Sequence, residues 1–216
     1  MEKSKRIDRV VNSLEEGELL RRLPEIKKID DSDVRDCVIR TFLYGCPDYF
    51  WENPTSSSGK YHSPDERGKH GNWIHTKRVF SQYTNMSESY LEAGEIDEYQ
   101  RDCGKAAALI HDMMKYGWPS DGNNHTVRNH DLIASGVARD IGGCPNEVYL
   151  LIHSHMGPWG EGMIPENRRQ WLFHLADKSA SGVDEDDLAV FKPAEEITKE
   201  VPDIRVIPDV ELTEAV

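Results

Sequence analysis

His111 and Asp112 stand side by side at the end of the apolar run Ala106-Ala107-Ala108-Leu109-Ile110, and Lys115 follows three residues later. An imidazole nitrogen next to a carboxylate oxygen suits a divalent metal. The Lys adds a fixed positive charge about one helical turn away. The chemistry this allows is metal-assisted attack on a phosphoester, with the pair as the floor of the site. Further ionisable residues fall at the ends or on the buried sides of other apolar stretches: His75, His130, His155 and Asp177. His153 is the alternate to His155, because residues two apart on a helix cannot share a face. Helical bundles build metal sites in this way, from side chains on facing helices. Mixed imidazole and carboxylate donors favour first-row ions over Ca. The expected cofactor is a divalent metal, one or two ions of Mn, Fe, Co, Ni, Zn or Mg.

The elements that must position these residues read as helices. Residues 5–22 carry Ile7, Val10, Val11, Leu14, Leu19 and Leu20 on one side, and Pro24 stops the run. A second helix starts at Asp31 or Ser32, both good N-caps, and ends near Gly45. Asn72 to Ala93 places His75 on a buried face with Val79 and Tyr83. Asp97 to Met114 is largely buried, and its Gly104, Ala106, Ala107 and Ala108 allow a neighbouring helix to approach closely. Thr126 is expected to cap a helix to Ile141, Asn146 to Met156 forms the next, and Glu166 to Ser181 the last. Alternating strand patterns are scarce, so the fold class is all-α, with an irregular acidic C-terminal tail. The division expected is N-terminal helices packing on the core (1–47), a Ser/Gly/Pro loop (48–71), a metal-binding core (72–182) and the tail (183–216).

The 48–71 stretch has turn chemistry throughout, including Asn53-Pro54 and Ser56-Ser57-Ser58-Gly59. A long structureless segment in a compact domain is usually functional or a linker. Gly59-Lys60-Tyr61-His62 joins a flexible residue to a cation, a ring and an imidazole. Lys60 and His62 are therefore read as substrate-binding, together with Lys115. The sequence lacks the Gly-x-x-x-x-Gly-Lys of a phosphate-binding P-loop.

The bulk composition narrows the partners. With 216 residues the chain can bury a sizeable core, and its five Trp, eight Tyr and five Phe supply large groups for it. The net charge of −13 opposes binding to long duplex nucleic acid, whereas a small anion held on metal ions remains compatible. The four Cys are scattered without Cys-x-x-Cys spacing, which reads as reduced thiols in a cytoplasmic protein. The first residues show no signal-peptide pattern, and no apolar run is long enough to span a membrane. A His taken singly is more often a packed residue than a ligand, and that reading stands for His70, His125 and His174. Trp159 and Tyr61 are read as packing groups, with base stacking as the alternative, Lys178 as a surface cation, and the Asp184–Asp187 run as a solvated face.

The ordered set His75, His111-Asp112, His130, His155, Asp177 resembles the HD-domain metal-dependent phosphohydrolase superfamily. The supporting segments are Gly71-Asn72-Trp73-Ile74-His75-Thr76, His111-Asp112-x-x-Lys115, Asn129-His130-Asp131-Leu132 and Leu175-Ala176-Asp177-Lys178. Ser154-His155-Met156-Gly157 is similar to the Ser-His-His-Gly of two-metal branches, with Met156 in place of one His. The resemblance covers residues 70–180. It implies that His75, His111, Asp112 and Asp177 bind one metal and that His130 and His155 serve a second, with Asp112 bridging. Asp112 and Lys115 would carry catalysis, Lys115 by neutralising phosphoryl charge. The implied reaction is hydrolysis of a nucleotide or short oligonucleotide phosphoester by a metal-activated hydroxide. The alternatives are a non-catalytic domain binding a nucleotide or partner, and a di-iron oxygenase on the same scaffold.

Overall fold

The computed structural model describes residues 14–59 and 62–181. All regular structure among them is helical: α1 (Glu16–Arg22), α2 (Ser32–Gly45), α3 (Tyr49–Glu52), α4 (Gly71–Glu92), α5 (Glu98–Ile110), α6 (His130–Asp140), α7 (Asn146–Ser154) and α8 (Arg168–Ser181). Short 3₁₀ segments lie between some of them, at Pro24–Lys28, Pro64–Glu66, Pro119–Asp121 and Gly157–Trp159. The all-α class expected from periodicity is the class observed. No helix among the described residues is long and apolar enough to cross a membrane.

The bundle is built around α5. Asp97 starts it with a capping box, accepting from the Gln100 N–H at 2.8 Å while the Gln100 side chain accepts from the Asp97 N–H at 3.1 Å. From Asp102 to Ile110 every residue is buried. A helix buried on all sides belongs in the centre, and α5 packs against α2, α4, α7 and α8. Close contact with α4 depends on Gly104, where an added Cβ would lie 1.9 Å from the Tyr83 ring. Each large apolar side chain buried here, Leu109 and Ile110 among them, stabilises the fold by about 1.5–3 kcal/mol. That apolar frame holds a polar centre at the C-terminal end of α5.

The N-terminal elements dock on the same helix through charge. Asp102, buried in α5, accepts from the backbone N–H groups of Asp30 and Asp31 at 2.7 and 2.8 Å. Asp31 in turn caps α2 by accepting from Val34 N–H at 3.0 Å. The start of the first expected helix, residues 5–13, lies outside the described residues. So do Lys60, Tyr61 and the tail from 182 onward, with its acidic run.

Two local expectations need correction. The 48–71 segment is not structureless: α3 forms in it because Phe50 and Trp51 pack edge-on into Phe42 and Trp73, with ring centroids 5.5 and 5.2 Å apart. Its far end folds back so that Thr55 N–H donates to Glu66 at 3.0 Å and Asn72 N–H to Asn53 at 3.1 Å. Thr126 does not cap α6, which begins at His130. Its hydroxyl and N–H are engaged instead by the Ser57 hydroxyl, at 3.1 and 3.3 Å.

Candidate metal centre

Five separate elements bring six side chains to one buried point. His75 comes from the second turn of α4. His111 and Asp112 follow the last residue of α5, and His130 opens α6. His155 follows the last residue of α7, and Asp177 lies in α8. Asp112 is at the middle. Its Oδ2 is 3.5 Å from His111 Nε2 and 3.6 Å from His75 Nε2. Its Oδ1 is 3.2 Å from His130 Nε2 and 3.5 Å from His155 Nε2. Asp177 Oδ1 closes the first side, 3.1 Å from His75 Nε2 and 3.6 Å from His111 Nε2. The two oxygens of one carboxylate thus face two different groups of imidazoles.

The imidazoles are oriented by their other nitrogens. Nδ1 of His111, His130 and His155 each lies against the carbonyl three residues earlier, on Ala108, Val127 and Ile152, at 3.0, 2.8 and 2.7 Å. A carbonyl only accepts, so Nδ1 carries the proton and Nε2 presents a lone pair to the centre. His75 uses a carboxylate instead: its Nδ1 is 3.4 Å from Glu66 Oε2. Nε2 of His111, His130 and His155 and Oδ1 of Asp112 are buried without a hydrogen-bond partner. Four orphaned donor atoms turned toward one point are costly in an apolar interior, and a cation would satisfy them. Ligand atoms of His75, His111 and Asp177 come within 4.8 Å of one another, as do those of His111, Asp112 and His155 and those of His62, Glu66 and His75. The donor set fits a divalent ion of the first transition row.

Electrostatics prepares these donors. Burial favours a neutral Asp112, but Lys115 and His111 outweigh it and hold the carboxyl well below its ordinary range. Asp177 is held down likewise against burial, by His111 and His75. Burial lowers His111, and for His130 both burial and Lys115 do so, which keeps both rings neutral. His75 goes the other way: burial opposes its charge, but Glu66 and Asp177 push it up to about 10. Asp112 similarly raises His155 against the effect of burial.

The remaining sequence candidates separate. Lys115 turns back so that Nζ sits 2.6 Å from Asp112 Oδ2. Lys60 lies outside the described residues. His62 is buried rather than carried on an open loop, with Nδ1 3.1 Å from Glu66 Oε2 and its ring edge-on to His75. His153 is not at the centre: it faces Ser135 Oγ at 3.2 Å and stacks on Tyr149. A cleft of about 400 Å³ opens from the centre, with His62, Lys115, His155, Asp177, Met156 and Trp159 on its walls. Trp159, expected to be a packing group, is 53% exposed there. His174, expected to be a packed residue, is buried beside that cleft, with Nδ1 2.6 Å from the His155 carbonyl.

Several contributors were not visible in the sequence. Glu66 receives His62, His75 and, at 2.7 Å, Arg78. Asn72 Nδ2 donates to the Asp112 carbonyl at 3.1 Å. The one signal for Glu66 was an Arg on the buried face of α4, one turn after His75, which needs a buried carboxylate partner.

A family model described as HD domain matches residues 72–182, about half of the chain. No curated protein and no solved structure matches it.

Proposed function

The chain belongs to the HD domain family, and on that premise we propose that it is a metal-dependent phosphohydrolase acting on a phosphate ester of a nucleotide or short oligonucleotide. The observation that carries this reading is the Asp112 carboxylate, with one oxygen facing His75 and His111 and the other facing His130 and His155. His75, His111, Asp112 and Asp177 would hold one divalent ion. His130 and His155, on the other oxygen of Asp112, would hold a second. Such ions supply an acidified water and neutralise phosphate charge when bound.

The chain's own residues do the rest. The Ala108, Val127 and Ile152 carbonyls fix three imidazoles in one tautomer, so no ring has to reorient before binding. Lys115 lies on both the centre and the cleft wall, where its ammonium can stabilise charge developing on phosphoryl oxygens. In a chain of net charge −13 this local cation also offsets the repulsion of an anionic substrate. A small phosphorylated molecule suits a cleft of about 400 Å³ better than long duplex nucleic acid does.

Elemental analysis of the purified protein, followed by assays with bis-p-nitrophenyl phosphate and a nucleotide panel in Mn²⁺, tests the proposal. The expected result is one to two ions per chain and metal-dependent turnover. Asp112→Ala is expected to lose bound metal and turnover together. Metal-dependent turnover retained in that variant, or metal bound to the wild type with no phosphoester cleaved, would overturn the assignment.

A further inference from the structure

The outer wall of the cleft carries a feature that the metal centre does not use. The Trp159 indole lies nearly parallel to the His174 imidazole, with an interplanar angle of 7° and centroids 5.9 Å apart. Lys178 Nζ sits 4.0 Å from the centroid of the same indole. His174 and Lys178 are one turn apart on one side of α8, and both lie against the indole. The residue is nonetheless 53% exposed, so a large part of its surface remains open to solvent.

The indole is also held in place. Its loop is pinned where the Asp131 carboxylate accepts from Gly162 N–H at 2.9 Å and the His153 carbonyl accepts from Met163 N–H at 3.0 Å. Asp131 is fully buried, and it sits so close under the loop that a Cβ on Gly160 would lie 2.1 Å from its Oδ2. His174 beneath the ring is buried and donates from Nδ1 to the His155 carbonyl at 2.6 Å. The exposed ring is therefore fixed relative to the metal centre, and both line one cleft of about 400 Å³, within the usual range for a small-ligand pocket.

We propose that Trp159 is a stacking platform: the substrate's planar aromatic group, a nucleobase, lies on its exposed surface while the phosphate lies toward Lys115 and the metal centre. This rests on the phosphohydrolase reading and deepens it by assigning a specificity-determining residue. Stacking uses the π-face that every base presents. The preference is accordingly for a base over no base, with little distinction among bases.

The test is calorimetric titration of the Mn²⁺-loaded protein with AMP, CMP and ribose 5-phosphate, in wild type, Trp159→Phe and Trp159→Ala. In the wild type both nucleotides are expected to bind roughly 5- to 100-fold more tightly than the sugar phosphate, the range that base–aromatic stacking gives. Trp159→Phe should keep most of that advantage. Trp159→Ala should abolish it and leave ribose 5-phosphate binding unchanged. An equal affinity for all three ligands in the wild type, or an advantage that survives in Trp159→Ala, would overturn the proposal. Turnover is measured separately, with bis-p-nitrophenyl phosphate and the nucleotide panel: binding as expected with no phosphoester cleaved would sink the hydrolase reading and keep the platform, whereas cleavage without base preference would do the reverse.

Discussion

Glu66 bears on how His75 is presented to the candidate metal centre. Its Oε2 is 3.1 Å from His62 Nδ1 and 3.4 Å from His75 Nδ1, and its Oε1 is 2.7 Å from Arg78 Nη1. Where His111, His130 and His155 rely on a carbonyl within their own chain segment, His75 relies on a distant carboxylate. Glu66→Gln is therefore expected to weaken Mn²⁺ binding by about 10- to 100-fold in a titration, as loss of an outer partner typically does. Unchanged affinity would remove Glu66 from this role. The same variant has a pH signature in the metal-free protein. Burial raises the Glu66 carboxyl, but His75, His62 and Arg78 overcome this and bring it to about 2, against an ordinary 4.5. A depressed carboxyl contributes stability that is present above its unfolded value and is lost as pH falls through the folded one. Wild-type urea stability should thus decline between pH 4.5 and about 2, and Glu66→Gln should decline less. Equal declines would show that the charge does not matter to the fold. The convergence of these His and Asp side chains was legible because their types and apolar neighbours lie together in sequence. Glu66 was not, because its meaning arises only when the 63–66 turn folds back onto α4.

At the scale of elements, α5 delivers the centre, and its position depends on how closely α4 can approach. Gly104 bears on that distance: a Cβ there would lie 1.9 Å from the Tyr83 ring, a separation at which the buried ring or one of the helices must shift. Gly104→Ala should destabilise the protein by about 1–3 kcal/mol, the usual cost of overpacking a core, against a gain in helix propensity of about 1 kcal/mol at most. Urea unfolding in chelator measures it without the contribution of bound metal, and an unchanged midpoint would mean that Tyr83 swings aside freely. The middle of α5 was readable from its apolar run and small residues. Helix ends were harder to read. Thr126 has the right chemistry for a cap, yet Ser57 from a segment far away in sequence engages both its polar groups. Likewise α3 forms because Phe50 and Trp51 find partners on α2 and α4, which no local turn signal could show. Long-range contacts thus overrode local propensity at the margins of elements and left their interiors as the pattern indicated.

For the whole molecule, the tension lies between a buried cluster of donors and a chain that is already acidic. Asp112 and Asp177 are buried and ionised, and four orphaned ligand atoms face them or one another. With Lys115 as the nearest ammonium, at 2.6 Å from Asp112, the centre gains when a cation binds, and the unfolded chain offers no comparable site. Binding to the folded state alone stabilises it by about 2.7 kcal/mol when the free ion is at 100 times its dissociation constant. For a chain of this size about 1 kcal/mol moves the melting temperature by roughly 2–4 °C. Mn²⁺ at that ratio should therefore raise the midpoint by roughly 5–10 °C over the same protein in chelator. Surface carboxylates are numerous in a chain of net charge −13 and could bind Mn²⁺ weakly, so the shift needs a control. Asp112→Ala supplies it, because it removes both central oxygens and leaves every surface acid in place. A wild-type shift that vanishes in the variant places the ion among the five converging elements. A shift of equal size in both would locate it elsewhere and leave the orphaned nitrogens unexplained.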